Sequence, residues 1–242
     1  MWAARARQAA VKFHKLQRGR LIKRYKRFLA DIQLPDGEVV IAHCPNPGSM
    51  LRCAPDNAPV WLTKSDNPKR KLKYTWELVK AHGSYVCVNT QHANNVVADA
   101  LHDGVVDELN GFDELKREVK YGERSRIDFL LTTGDDKTYV EVKSVTMSMG
   151  KQVTAFPDSV TARGTRHLQE LMAMVDEGHR AVMLFCCARA DTKLVRPAHE
   201  IDPVYASTLR EAADAGVELL AYRCDVSTRG MWLRERVPIE LS

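Results

Sequence analysis

The segment that most narrows what this chain can fold into runs from Ser125 to Val145. Ser125 to Leu131 and Thr138 to Val145 both read as strands, and Gly134-Asp135 between them is a two-residue hairpin turn. With those two residues in the turn, the numbers of facing residues sum to 269, so Asp128 faces Glu141 and Arg126 faces Lys143. Side chains alternate across a strand, so these four share one face. The other face carries Ile127, Phe129 and Leu131 against Val142, Val140 and Thr138, an apolar surface suited to a core. One side of the hairpin is greasy; the other holds two acids and two bases.

The elements around it place this hairpin in an α/β domain. Tyr85 to Val88 is a short apolar strand, and Asn89-Thr90 can cap a helix start. Ala93, Val96, Val97, Ala100 and Leu101 form one helical stripe, and Glu114 to Tyr121 precedes the hairpin as another strand. A helix over Gly164 to Glu177 buries Leu168, Leu171, Met172 and Val175 and stops at Gly178. Strand Ala181 to Cys187, helix Val204 to Ala215 and strand Val217 to Tyr222 complete the order. Residues 1–82 differ: short strands at Val39 to Ile41, Val60 to Leu62 and Tyr74 to Val79 are punctuated by turns at Asp36-Gly37 and Pro45 to Ser49. Gly19 to Leu34 alternates long basic and apolar side chains. That pattern suggests a small OB-like β-barrel. The expected organisation is a basic domain over 1–82 and an αβββαβ domain over 83–242.

Composition matters chiefly through where charge falls. The net charge is +5, yet residues 1–80 carry 17 basic and 6 acidic side chains against 19 and 25 in the rest. A basic third on a mildly acidic remainder points to a polyanion, most often nucleic acid. Arg18, Arg20, Lys23, Arg24, Lys26 and Arg27 all precede the first acid, Asp31, and Lys69, Arg70 and Lys71 form a second basic loop. Arg163 and Arg166 lie at a helix start, where phosphate is readily held, and Arg126 lies on the hairpin itself. Trp76, near the basic loop, reads as a core residue. No apolar run is long enough to span a bilayer, and Met1 to Ala10 lacks a signal-peptide core. The six cysteines lack metal-ligand spacing and read as buried free thiols in a reducing cytoplasm.

Facing Cβ atoms in such a hairpin lie about 4.5–5.5 Å apart. Asp128 and Glu141 can therefore share one hard cation, Mg2+ or Mn2+, and Lys143 can orient a water for attack on a phosphodiester. The alternative is a solvated cross-strand charge quartet.

The residues also carry a resemblance. Asp128 followed by Glu141-x-Lys143 in this element order resembles the PD-(D/E)xK nuclease superfamily, and the whole chain from about Leu16 resembles the sugar fermentation stimulation protein A (SfsA) family. The matching stretches include Gln17 to Asp31, His43-Cys44-Pro45-Asn46, Ser65 to Lys71, Val86 to Thr90, Glu118 to Gly122, Arg124 to Phe129, Glu141 to Val145, Phe156 to Thr161, His167-Leu168 and Glu170 to Met172. The resemblance implies an N-terminal OB-like domain, a nuclease-like C-terminal domain and sequence-nonspecific DNA binding. It implies Asp128, Glu141 and Lys143 as the catalytic triplet, with Glu118 an accessory acid beside Asp128 and Glu141 at the metal. Two functions stay open: a Mg2+-dependent nuclease, or a non-catalytic DNA-binding regulator of sugar metabolism on a nuclease scaffold. RNA as the substrate, and a homo-oligomer, stay open too. One departure is Pro47, where the family usually has Thr; proline brings neither hydroxyl nor N–H to that turn.

Overall fold

The computed structural model describes residues 11–122 and 125–241. The N-terminal decapeptide with Arg5 and Arg7, and Arg124 of the matching run, lie outside the described residues.

The basic N-terminal region folds as a barrel. After β1 (Val11–Lys12) come β2 (Gln17–Tyr25), β3 (Leu29–Gln33), β4 (Val39–His43), β5 (Pro59–Lys64), β6 (Tyr74–Ala81) and β7 (Ser84–Cys87). Their order is β4-β3-β2-β5-β6-β7, and a parallel β4–β6 pairing closes the first five into a barrel. The alternation read in Gly19 to Leu34 is real but interrupted. Lys26 and Arg27 both adopt left-handed backbone (φ 47° and 61°), turning the chain between β2 and β3 without Gly, Asn or Pro to announce it. Leu21, Ala30, Ile32, Leu62 and Trp76 fill the interior. Trp76 is core, as its sequence context suggests.

Pairing in this sheet does not end at residue 82. Strand β7, read from sequence with the second domain, hydrogen-bonds to β6, whereas β1 joins the other sheet beside its last strand. The exchange has a physical cause: Leu78 of β6 and Cys87 of β7 pack among the second domain's core residues, while the barrel keeps a core of its own.

The rest of the chain is a seven-stranded sheet of order β1-β16-β15-β13-β10-β9-β8 with helices on both faces. Its strands are β8 (Glu114–Tyr121), β9 (Ser125–Thr133), β10 (Asp136–Val145), β13 (Arg180–Cys187), β15 (Glu218–Ser227) and β16 (Gly230–Arg236), together with β1. A small sheet of β11 (Ser148–Gly150), β12 (Val153–Phe156) and β14 (Leu194–Pro197) flanks it; neither this sheet nor β16 was legible in the sequence. Strands β10, β13 and β15 run parallel, and β13 is buried along nearly its whole length, as a central parallel strand must be. Helix α1 (Ala93–His102) covers one face; α2 (Ala162–Asp176) and α3 (Pro203–Asp214) cover the other. Thr161 caps α2 through Gly164 N–H, and buried Asp202 accepts the N–H groups of both Thr161 and Tyr205, tying the starts of α2 and α3 together. All six cysteines are free and buried.

Candidate active site and nucleic-acid interface

The hairpin forms in the expected register, from Asp136–Thr133 to Val140–Phe129, with Gly134 in left-handed backbone at the turn. Beyond Phe129 the ladder opens. Asp128 Oδ2 accepts Val142 N–H at 2.7 Å, so a side chain takes the place of a backbone partner. Past this point β9 runs with β8, and Arg126 pairs with Lys120 rather than facing Lys143. Ile127 likewise leaves the apolar face shared by Phe129 and Leu131 and packs toward α2. An acid inside the ladder competes for ladder hydrogen bonds, which period-two counting cannot foresee.

Asp128 and Glu141 are brought together. Burial and the neighbouring Glu141 charge raise the Asp128 carboxyl to about 6, although hydrogen bonds from Val142 N–H and Asn94 oppose the rise. Asn94, in the first turn of α1, donates to Asp128 Oδ1 at 2.6 Å. Glu141 is 3% exposed. Burial alone would raise its carboxyl, but His167 and Lys143 more than offset it and hold the group below its ordinary value. Lys143 Nζ donates to Glu141 Oε1 at 2.7 Å, and His167 Nδ1 contacts the same oxygen. Arg163 Nε donates to His167 Nε2 at 3.2 Å, so Nε2 is an acceptor and the imidazole proton sits on Nδ1, directed at Glu141. The other oxygen, Glu141 Oε2, is buried and has no hydrogen-bond partner among the described residues. Burial, then the charges of Glu141, Glu170 and Asp128, push the Tyr121 hydroxyl up.

His167 and Asn94 belong to this constellation, and sequence reasoning missed both in that role. His167 sits on the core-facing stripe of α2, where Gly164, His167, Leu168, Leu171 and Met174 are buried; Met172 and Val175 lie at its edge. A histidine on a stripe otherwise made of Leu and Met was the available signal. Glu118 is exposed with left-handed backbone (φ 54°), and its carbonyl accepts from Arg126 Nη1. Among the described residues no three His, Cys, Asp or Glu side chains are gathered closely enough to hold a metal by themselves. The two carboxylates nevertheless suit a hard cation that completes its shell with water and substrate oxygens, and the unpaired Glu141 Oε2 is the atom such an ion would satisfy.

The basic residues sort into groups. Arg18, Arg20 and Lys23 are exposed on the outer side of β2, and Lys26 and Arg27 project from the strained turn at its end. Arg24 serves the fold instead. Its Nε, Nη1 and Nη2 donate to the carbonyls of Arg27, Ser49, Asn46 and Gly48, binding two loops together. Lys69 and Lys71 are exposed, while Arg70 is partly buried and held by Thr75 at 2.6 Å. Arg163 and Arg166 are exposed at the start of α2, and Arg163 reaches the acid pair through His167.

Comparison with known proteins fits this architecture. Residues 22–88 match the family model described as the SfsA N-terminal OB domain, and residues 91–230 match the sugar fermentation stimulation protein RE domain. A sugar fermentation stimulation protein homolog of Maricaulis maris is 54% identical over 226 residues, covering 93% of this chain and 96% of the relative. A homolog from Marinomonas sp. is 55% identical over 223 residues, covering 91% of this chain and 86% of its own. Among solved structures, Pyrococcus furiosus SfsA in complex with Ca2+ superimposes with a TM-score of 0.86 at 25% identity, covering 97% of this chain and all of that one. No helix among the described residues is long and apolar enough to cross a membrane. With both domains matched in order and relatives above half identity over nearly the full length, this chain belongs to the sugar fermentation stimulation protein (SfsA) family.

Proposed function

We propose that this protein binds DNA without sequence preference through its basic barrel and hydrolyses phosphodiesters at Asp128, Glu141 and Lys143, with Mg2+ or Mn2+ as cofactor. The observation that carries the reading is the imbalance at Glu141: one carboxylate oxygen holds Lys143 and His167, the other is buried and unpaired, and the residue's charge acts on the neighbouring Asp128. Leaving such an atom unmet costs about 1–3 kcal/mol, a cost a fold retains where a ligand will meet it. The Ca2+ bound to the Pyrococcus protein supports the choice of a hard, oxygen-seeking cation.

Asp128 and Glu141 would hold the ion, which supplies charge stabilisation on the phosphate oxygens and acidifies an attacking water. The chain's own residues do the rest. Asn94 and Val142 N–H fix Asp128, and His167 holds Glu141. Lys143, ion-paired with the same carboxylate, would orient the water and stabilise charge on the phosphate. Exposed Arg163 and Arg166 offer contacts to the strand backbone, and the barrel's Arg18, Arg20, Lys23, Lys26 and Arg27 supply long-range attraction.

The decisive experiment incubates purified protein with supercoiled plasmid and with single-stranded DNA, each with Mg2+ or Mn2+. Cleavage that disappears in Asp128→Ala supports the nuclease. Absence of cleavage with every substrate and metal, alongside salt-sensitive binding, would leave the regulatory reading: a DNA-binding protein on a nuclease scaffold. Replacing DNA by RNA in the same assay tests the other polynucleotide.

A further inference from the structure

Where the barrel meets the sheet, the loop between β4 and β5 is pinned to the second domain. Cys53 Sγ donates to the Thr146 carbonyl at 2.8 Å, and Arg189 Nη1 donates to the same oxygen at 3.1 Å. Beside these contacts lies a cavity of about 890 Å3, lined by none of the acid-pair residues. Its barrel wall is Arg52 and the β6–β7 hairpin from His82 to Tyr85. The opposite wall is the β11–β12 hairpin from Gly150 to Gln152, with Ala190 and Asp191. Ser148 and Ala190, both in the lining, follow the parallel strands β10 and β13. The cavity therefore lies beyond the carboxyl ends of both strands, where open α/β sheets take their ligands. Its volume is in the range of small-molecule sites.

The charge offered to this cavity is positive. Arg52 and Lys151, one from each domain, are exposed and make no hydrogen bond or ion pair among the described residues. The acid in the lining, Asp191, is already matched: its two oxygens accept from Arg189 Nε and Nη2 at 3.0 and 2.9 Å, and Arg189 is itself buried. The walls also approach each other closely here. A Cβ at Gly150, the residue before Lys151, would sit 3.6 Å from Arg52 Nη1.

The backbone is bent to present these side chains. Four of the ten non-glycine residues with left-handed backbone line this one cavity: Arg52, His82, Lys151 and Gln152, with φ 59°, 52°, 49° and 66°. Both hairpins close through two residues of positive φ, a turn that Asn-Gly fills without strain. Lys151-Gln152 places two long side chains there instead. Closing a hairpin does not call for that pair; a ligand between the walls does.

We infer that this cavity binds a phosphorylated small molecule, its phosphate between Arg52 and Lys151 and its body along the Tyr85 wall. A phosphomonoester carries nearly two negative charges at neutral pH, which two otherwise unpaired cations match. The cavity holds more than a bare phosphate. Tyr85 contributes a half-buried ring, fixed against Trp61 with centroids 5.1 Å apart, and a hydroxyl with no partner among the described residues. The inference stands apart from the nuclease reading and does not depend on it.

The test titrates the full chain, without divalent metal, with AMP and with adenosine, and uses inorganic phosphate as a competitor. AMP should bind with a Kd below about 1 mM, adenosine at least tenfold more weakly, and inorganic phosphate should displace AMP. Arg52→Ala and Lys151→Ala should each weaken AMP by about tenfold, whereas Arg163→Ala, at the acid pair, should leave it within twofold. Lys151→Asn guards against a folding artefact. Asn accepts left-handed backbone, so this variant should melt no lower than the wild type and still lose the same affinity. No binding of AMP, equal affinity for adenosine, failure of phosphate to compete, or affinity unchanged by the Arg52 and Lys151 substitutions would overturn the inference. A short DNA duplex is titrated in parallel. Should those substitutions weaken the duplex and not AMP, the two cations belong to a DNA path and the cavity inference falls.

Discussion

Two buried glutamates, one in each domain, each touch a histidine, yet their surroundings differ. Glu77, on β6 of the barrel, is fully served: Thr63 donates to one oxygen at 2.7 Å, and Asn89 and His92 lie 2.8 Å from the other. Burial would raise its carboxyl, and those hydrogen bonds more than offset the rise. Glu141 is buried to a similar depth and meets Lys143 and His167, but one of its oxygens is left without a partner and a second carboxylate is its neighbour. The contrast separates a pin from a site. Glu77 ties the barrel to the segment entering α1, and its bonds are complete within the chain. Under the proposed function, Glu141 is completed by a cation brought from outside. Burial and residue type do not distinguish them; satisfaction does.

The comparison can be broken by mutation. Asp128→Ala or Glu141→Gln should lower metal-dependent plasmid cleavage by roughly three orders of magnitude, measured by gel, whereas Glu77→Gln should leave cleavage within a few-fold. Cleavage lost equally in all three would erase the distinction. Stability should respond in the opposite order. Glu77→Ala strands Asn89 and His92 and should cost about 3 kcal/mol in urea denaturation; a loss below about 1 kcal/mol would mean that Glu77 is no pin.

A pH titration sharpens the same point. Because the folded Glu77 carboxyl lies below its unfolded value, its contribution is fully present above the unfolded value, near pH 4.5. It is lost as pH falls through the folded value. Glu77→Gln should therefore be less stable than wild type at neutral pH, and the gap should shrink below about pH 4.5. A gap that widens on acidification would reverse the sign and refute the assignment. The smallest effect belongs to the barrel surface. Each of Arg18→Ala, Arg20→Ala and Lys23→Ala should lower the slope of log affinity against log salt by about 0.7–0.9 if that side chain meets phosphate. Arg24→Ala should instead show as a loss of stability, since its donors hold the 46–49 turn.

Much of the fold was legible because it depends on local rules. Gly134-Asp135 set the hairpin register, the stripe from Ala93 to Leu101 set α1, and Gly178 stopped α2. The β2–β3 turn escaped because Lys26 and Arg27 adopt left-handed backbone that neither residue favours. Strand β7 was grouped with the second domain, though it pairs with β6, because a short apolar run does not say which sheet it will join. Spacing alone put Asp128, Glu141 and Lys143 on one hairpin, and the structure keeps Glu141 near Asp128 and paired with Lys143. His167 and Asn94 were not readable from spacing, because each reaches the acids from a helix distant in sequence.

The sequence alone determined that two carboxylates would lie on neighbouring strands and that positive charge would gather in the first third, since both depend only on spacing and counting along one chain. The tertiary structure decided which oxygen is paired and which is left unmet, and that Arg24 serves the fold. Those properties belong to groups that meet only when separate elements pack, and hydrogen-bond satisfaction is a count over neighbours in space.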